Sequence, residues 1–475
     1  MISSQSTVEA AEGGDAPGAS AGTRALRGGV CIVLAAATFW LAPPPHELRT
    51  ALALFVLIGG LWMTQALPLA VTALLVPVLA VLGGLAPPRA ALAPFAHPII
   101  FLFLGGFALA AALQSQGLDR ALAQRVMRAV GGHRPRAVVL LCALAAGLSM
   151  WISNTATAAM MLPLALGLLH AGTTDVDTGA APGLREQTFV LLAIAYSCSI
   201  GGMATLVGSP PNAIAAAQAG IDFVQWLAFG LPAVAILWPA MMLVLWLTLR
   251  PRFGGSVAVP SAPMAWTRAR RFTVAIFAAT VAGWIGGVPL ARALGIAADI
   301  DTVVALSALV ALVATGCLRW RDIETRSEWG VLLLFGGGLA LSELMQSSGA
   351  SRFLAEQALG TMQSAPRILV LAGVVLFVVF LTELISNTAC TALVLPVFMP
   401  AALTLGLSPA GAAAGVAIAA SCAFMLPVAT PPNALVYATG RVPQAWMMRC
   451  GFWLNLVCAA AVTALVWIGS SGHAH

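Results

Sequence analysis

The sequence predicts an all-α polytopic membrane protein of about 11 transmembrane helices plus two re-entrant hairpins, arranged as an inverted repeat. Three observations carry this. Of 475 residues, 60% are hydrophobic and 8% charged, with a mean hydropathy of +0.95, and no soluble domain of useful size remains between the apolar stretches. Arginine clusters recur between those stretches and fix their direction. The tripeptide Ser-Asn-Thr stands twice in strongly apolar surroundings, at Ser153-Asn154-Thr155 and Ser386-Asn387-Thr388, 233 residues apart.

In chain order, residues 1–26 carry Glu9, Glu12 and Asp15 among Ser, Gly and Ala, with neither a basic start nor an apolar core. They read as a flexible cytoplasmic tail and not a signal peptide. All 23 basic residues are arginine. Arg24 and Arg27 set the N-terminus inside, and spans near 28–44, 50–67, 69–86 and 97–115 return the chain to Arg120, Arg125, Arg128, Arg134 and Arg136. Segment 137–169 is flanked by cytoplasmic arginines on both sides, so it must enter and leave by one face, with the first Ser-Asn-Thr near its tip. Spans near 187–220 and 222–249 lead to Arg250, Arg252, Arg268, Arg270 and Arg271. Spans near 272–290 and 300–318 lead to Arg319, Arg321 and Arg326. After a span near 329–347, segment 366–405 repeats the hairpin from the outer side. Spans near 411–441 and 446–469 then leave the C-terminus outside.

The halves also match beyond the tripeptides. Between Ser153–Pro163 and Ser386–Pro396 seven of eleven residues are identical. Gly105-Gly106-Phe107-Ala108-Leu109 resembles Gly337-Gly338-Leu339-Ala340-Leu341, and each precedes its hairpin by a similar distance. Stretches 117–131 and 349–361 place Arg and acidic residues among Leu and Ala at helical spacing; their matched positions favour amphipathic interfacial arms over plain polar connections.

A second duplicated motif follows each hairpin, Gly208-Ser209-Pro210-Pro211-Asn212-Ala213 and Ala429-Thr430-Pro431-Pro432-Asn433-Ala434. Tandem prolines remove two amide donors and turn the preceding residue out of helical geometry. The expected result is a half-helix ending at Gly208 or Ala429, an extended step, and a new half-helix capped by Asn212 or Asn433. Free carbonyls and hairpin side-chain oxygens suit a small hard cation, for which sodium fits; free amides at the opposing helix starts suit a carboxylate. None of the four motifs contains Arg, Lys or His. A dianion would therefore need co-bound cations to offset its desolvation.

Other residues carry less. Glu383 lies within the second hairpin, where it could move a proton or hold a structural hydrogen bond; its counterpart is Met150, which favours structure. His97 and His170 sit near span ends. The eight cysteines are scattered singly and read as packing residues. Neither Ser153 nor Ser386 has a His or Lys base in its motif, which argues against an enzyme.

On these motifs, above all the paired Ser-Asn-Thr hairpins, Gly208–Asn212 and the run Cys422–Asn433, the chain resembles the divalent anion:sodium symporter family over about residues 28–470. The resemblance implies a homodimer with an elevator-type transport domain sliding against a scaffold. Carried onto this sequence, residues 27–136 and 272–361 are scaffold helices with their interfacial arms, and 250–271 is a cytoplasmic loop. Residues 137–249 are the first half of the transport domain, with hairpin 137–169 and broken helix 187–220. Residues 366–470 are the second half, with hairpin 366–405 and broken helix 411–441, and 471–475 are a tail. One sodium site would use Ser149, Ser153, Asn154 and Gly208, and the other Thr382, Ile385, Asn387 and Ala429. Substrate would meet Ser153, Asn154, Thr155, Ser386, Asn387, Thr388, Thr430 and Pro431. Two intact tips favour import of a C4-dicarboxylate (succinate, malate or fumarate) by sodium symport across a bacterial inner membrane. A sodium-independent exchanger, or a sodium-coupled citrate or sulfate carrier, is the alternative on the same fold. Gln65 stands where relatives commonly carry glutamate, and Ile385 where a smaller or polar residue is usual.

Overall fold

The computed structural model describes residues 21–129, 133–170, 183–253, 265–293, 295, 300–360 and 366–471. Most of the proposed tail 1–26, the middle of the loop 250–271 and the tail beyond 471 lie outside them. Every regular element among the described residues is helical. The first half runs α1 (Ala21–Leu41), α2 (His46–Thr64), α3 (Leu69–Leu82), α4 (Pro88–Leu92), a 3₁₀ turn (Ala93–Ala96), α5 (Pro98–Ser115), α6 (Leu118–Ala129), α7 (Arg134–Ser149), α8 (Asn154–His170), α9 (Leu184–Gly201), α10 (Pro210–Ala219) and α11 (Phe223–Leu249). The second runs α12 (Arg268–Ala293), α13 (Ile300–Ala314), α14 (Trp320–Arg326), α15 (Trp329–Ser347), α16 (Ala350–Gly360), α17 (Arg367–Leu381), α18 (Asn387–Thr404), α19 (Pro409–Ala420), α20 (Pro431–Ala438) and α21 (Gln444–Ser471). From α2 and α12 onward the two orders correspond element by element.

Seven of these helices are long and apolar enough to cross a membrane. Of the other expected spans, α3 and α13 are short, 187–220 and 411–441 are broken, and 272–290 is the continuous 26-residue α12. α3 and α13 have 14 and 15 residues, because Gly84 and Gly316 take left-handed φ of 72° and 69° and stop them early. α2 ends likewise, with Gln65 left-handed at φ 48° just before Pro68. Gln65 is thus a corner residue of the α2–α3 turn, which Trp62 ties down by donating Nε1–H to the Leu69 carbonyl at 3.2 Å.

Matched glycines shape both halves. Gly117 and Gly349, with φ of 64° and 76°, close α5 and α15 and turn the chain into α6 and α16, the two expected arms. One turn or more back, Gly105 and Gly337 let helices cross backbone to backbone. A Cβ at Gly105 would lie 2.7 Å from Ala305 Cβ on α13, and one at Gly337 would lie 2.6 Å from Ala73 Cβ on α3. Each half's glycine helix therefore packs on the second helix of the other half's matched order, α5 on α13 and α15 on α3.

The same exchange occurs in the interior. Hairpin helix α8 packs against α20, and hairpin helix α18 packs against α10. Each Ser-Asn-Thr tip thus continues into a helix covered by the post-break helix of the opposite half.

Candidate functional site

Both tripeptides lie at helix starts inside the bundle. α7 stops at Ser149 and α8 starts at Asn154; α17 stops at Leu381 and α18 starts at Asn387. A helix start exposes amides with no intrahelical acceptor. Ser153 Oγ accepts from Ala156 N at 3.4 Å, whereas the Ser386 side chain makes no capping bond. Thr155 and Thr388, in the first turns, are both buried.

The asparagines face back toward the helices that precede them. Ser149 Oγ donates to Asn154 Oδ1 at 2.5 Å. Thr382 Oγ1, at the matched place, lies 2.8 Å from Asn387 Oδ1 and 2.6 Å from the Ala420 carbonyl. The first cluster then gathers backbone oxygens. A Cβ at Gly208 would lie 2.6 Å from the Gly202 carbonyl oxygen and 2.9 Å from that of Ser149, and one at Gly202 would meet Asn154 Oδ1 and the Gly208 oxygen closer than 3.0 Å. Ser149, Asn154, Gly202 and Gly208 therefore turn oxygens into one small space that admits no side chain.

The breaks differ from the expectation in extent and in the role of asparagine. The first half-helices end at Gly201 and Ala420, not at Gly208 and Ala429, so 202–209 and 421–430 are unwound. The Gly201-Gly202 pair accounts for the first early stop, since glycine weakens a helix; beyond the second, the amides of Phe424, Met425 and Leu426 bond to the Glu383 carboxylate and not to helix carbonyls. The caps are Ser209 and Thr430; Thr430 Oγ1 accepts from Asn433 N at 3.4 Å. Asn212 and Asn433, fully buried, are staples instead. Asn212 Nδ2 donates to the carbonyls of Gly202 and Thr205 at 2.8 and 2.7 Å. Asn433 Nδ2 donates to those of Ala423 and Leu426, both at 3.1 Å. Unwound carbonyls buried away from water need such donors. The Pro-Pro-Asn unit thus breaks the span and supplies the donor that the break requires.

The sequence profile of the citrate transporter family matches residues 60–397. The chain belongs to that family. An uncharacterized transporter of Haemophilus influenzae is 42% identical over 94% of this chain and 98% of its own length. The sodium-dependent dicarboxylate transporter SdcS of Staphylococcus aureus is 32% identical over 88% of this chain and 85% of its own. These relatives agree with the divalent anion:sodium symporter resemblance, and the protein is a transporter and not an enzyme. Among solved structures, the Alcanivorax borkumensis YdaH transporter matches with a TM-score of 0.56 at 18% identity, covering 80% of this chain and 88% of that one. Neisseria gonorrhoeae MtrF matches with 0.54 at 14% identity, covering 92% and 97%. These two share the fold.

Thr205, Trp226 and Tyr196, around the transporter's site, belong to none of the sequence motifs. Thr205 Oγ1 donates to the Met150 carbonyl at 2.5 Å and accepts from Gly208 N at 3.2 Å, tying hairpin to break. Its counterpart is Leu426, so duplication gave no signal for it. Trp226 Nε1 donates to the Met203 carbonyl at 3.1 Å, and Tyr196 Oη to the Phe424 carbonyl at 2.6 Å, the latter across halves. Glu383 is buried and purely an acceptor: Oε1 takes Phe424 N, Met425 N and Asn455 Nδ2 at 2.6, 2.8 and 2.8 Å, and Oε2 takes Leu426 N at 3.0 Å. Ile385 is buried at 3% exposure.

The two tips stand in unlike surroundings. Trp151 in the first hairpin stacks on Trp284 of α12, rings 2° from parallel and 6.2 Å apart, with Phe223 and Phe277 beside it. The matched Leu384 is 69% exposed. Val207 in the first break is 7% exposed, against α5 at Gly106, while its counterpart Val428 is 84% exposed.

Proposed function

We propose that this transporter imports C4-dicarboxylates by sodium symport. The observation that carries the reading is the matched pair of oxygen clusters at helix breaks with no basic side chain in any of the four motifs. Ser149, Ser153, Asn154 and Gly208 hold one sodium; Thr382, Ile385, Asn387 and Ala429 hold the other. Neutral oxygens of hydroxyls, carboxamides and carbonyls suit a small hard cation. The substrate carboxylates take the amides and hydroxyls at Ser153, Asn154, Thr155, Ser386, Asn387 and Thr388, with Thr430 and Pro431 alongside. Half a positive charge at each helix start falls short of a dianion, and two sodium ions close the gap. Binding is therefore ordered, with sodium before substrate. The sodium dependence in the name of the SdcS relatives supports this reading.

Alternating access follows from the unequal tips. Trp151 and Val207 are covered while Leu384 and Val428 are exposed, and an inverted repeat exchanges those environments when the hairpin-bearing unit slides against the scaffold. The movement is an elevator in each subunit of a homodimer in the bacterial inner membrane, N-terminus cytoplasmic and C-terminus outside. The test is labelled succinate uptake by proteoliposomes with and without a sodium gradient, competed by malate, citrate, aspartate and sulfate. Asn154→Ala and Asn387→Ala should each abolish it. Equal uptake in choline buffer removes the coupling, and stronger competition by citrate, which the family's name makes the second reading, changes the substrate.

A further inference from the structure

The two breaks are tied down at matched carbonyls, but from different places. Asn212 holds the Gly202 carbonyl and Asn433 that of Ala423, so the next residues, Met203 and Phe424, correspond. Each of their carbonyls accepts from a fully buried aromatic side chain. Met203 takes Trp226 Nε1 at 3.1 Å, from α11 of its own half, whereas Phe424 takes Tyr196 Oη at 2.6 Å, from α9 of the other half. The second half carries Met447 at the place of Trp226 and Ala417 at the place of Tyr196. Neither side chain can donate, so the bond from α9 to the second break is not repeated in the other direction.

Tyr196 stands between the two oxygen clusters. On its own side α9 ends at Gly201, which packs on the Ala146 backbone of α7, and the next residue, Gly202, belongs to the first cluster. From Tyr196 to Gly202 the chain advances six residues, about 9 Å of helix. On the far side Phe424 lies in the unwound run 421–430, and its amide donates to Glu383 Oε1 at 2.6 Å. Glu383 follows Thr382, whose hydroxyl lies 2.8 Å from Asn387 Oδ1 and 2.6 Å from the Ala420 carbonyl just before that run. The Tyr196 and Phe424 rings also meet, with centroids 4.9 Å apart. Gly451 of α21 closes on the Phe424 carbonyl, where any Cβ would clash, so the slot that receives the phenol is narrow.

We infer that Tyr196 couples the two sodium sites: an ion that orders the first break acts through α9 and the Tyr196–Phe424 bond on the second, and the reverse, so the ions bind cooperatively. The inference rests on the two-site sodium reading above and names the residue through which one site senses the other. Tyr196 is a positioning residue and belongs to neither set of ion-binding oxygens. Coupling arises where two sites bias one packed, hydrogen-bonded element. Linkage makes it reciprocal, with a usual size of about 5- to 150-fold in affinity.

Tyr196→Phe keeps the ring and removes only the donor. Wild type, Tyr196→Phe, Ser149→Ala and the double variant are compared in proteoliposomes by two readouts. One is the steepness of sodium activation of succinate uptake; the other is hydrogen–deuterium exchange of 202–209 and 421–430 against sodium. In wild type, sodium should slow exchange in both runs, and the Hill coefficient should approach about 2. Ser149→Ala, a lesion in the first site, should raise about fivefold or more the sodium needed to protect the distant run 421–430. That comparison needs no change at Tyr196. In Tyr196→Phe the Hill coefficient should fall toward about 1, and adding Ser149→Ala should then move protection of 421–430 by less than about twofold. Trp226→Phe removes the matched bond inside the first half; it should loosen 202–209 and shift half-saturation while steepness stays, as any merely structural loss would. Unchanged steepness in Tyr196→Phe overturns the inference, and so does a shift at 421–430 that survives loss of the hydroxyl. A wild-type run 421–430 indifferent to Ser149→Ala overturns it too. If sodium protects neither run in wild type, the two-site reading has failed and the inference falls with it.

Discussion

Replacing Asn212 by alanine tests the staple most directly. Its Nδ2 serves two fully buried carbonyls, Gly202 at 2.8 Å and Thr205 at 2.7 Å. Each bond contributes about 0.5–1.5 kcal/mol net, and each carbonyl stranded by truncation costs about 1–3 kcal/mol. Asn212 Oδ1 has no protein donor, so removing it returns about 1 kcal/mol. The local cost comes to about 2–4 kcal/mol, borne by the segment that presents the Gly208 carbonyl. If the segment must be restored before sodium binds, even about 2 kcal/mol corresponds to about 30-fold in apparent sodium affinity. Uptake of labelled succinate against sodium concentration reads this, and a thermal melt in detergent checks that the bundle remains folded. The expected outcome is a folded protein, a few degrees less stable, whose sodium activation curve moves by at least tenfold. A folded variant with a curve within twofold of wild type refutes the link between the staple and the cation site.

Three other outcomes are expected. Gly105→Ala should lower the unfolding temperature, at a cost of about 1–3 kcal/mol, because its Cβ meets the Ala305 backbone, whereas Gly373→Ala, with open space around it, should be neutral or mildly stabilising. In a variant lacking the eight buried native cysteines, a cysteine at 428 should react with a polar maleimide faster than one at 207, and conditions that reverse the carrier should narrow or invert the ratio. Burial holds the Asp119 carboxyl in the first arm above its ordinary 3.8, opposed in part by the Arg120 amide and charge. The folded chain then binds that proton more tightly than the unfolded chain, so Asp119 favours folding in acid, and the benefit is lost as pH rises through the folded value. Asp119→Asn should flatten melting temperature against pH in that range.

The order of elements was legible because it rests on signals local to the sequence. Apolar runs of the right length, arginine clusters between them and two copies of each motif placed the spans, both hairpins, both breaks and the short helices α6 and α16. The breaks themselves were read too short, and Asn212 and Asn433 were taken as caps. From Pro-Pro-Asn alone a cap is the nearest use of asparagine, whereas the carbonyls they serve lie seven and ten residues upstream. Ties such as Tyr196 to Phe424 join residues 228 positions apart, and no periodicity announces such a partner. Thr205 escaped for a further reason: it occurs in one half only, so a search for repetition passes over it. Glu383 was legible as an intramembrane carboxylate with a structural hydrogen bond, but not its donors, which lie 41 to 72 residues further along the chain.

The crossing of the halves bears on how the protein is made. While the ribosome has delivered only the first half, α8 lacks α20 and α10 lacks α18, so the polar tip at Ser153–Thr155 has entered the bilayer without its cover. Water or the insertion machinery must satisfy those groups until residues 431–438 emerge. A nascent chain stalled before α18 should be a ready substrate for membrane quality control. Separately expressed halves should accumulate only when produced together.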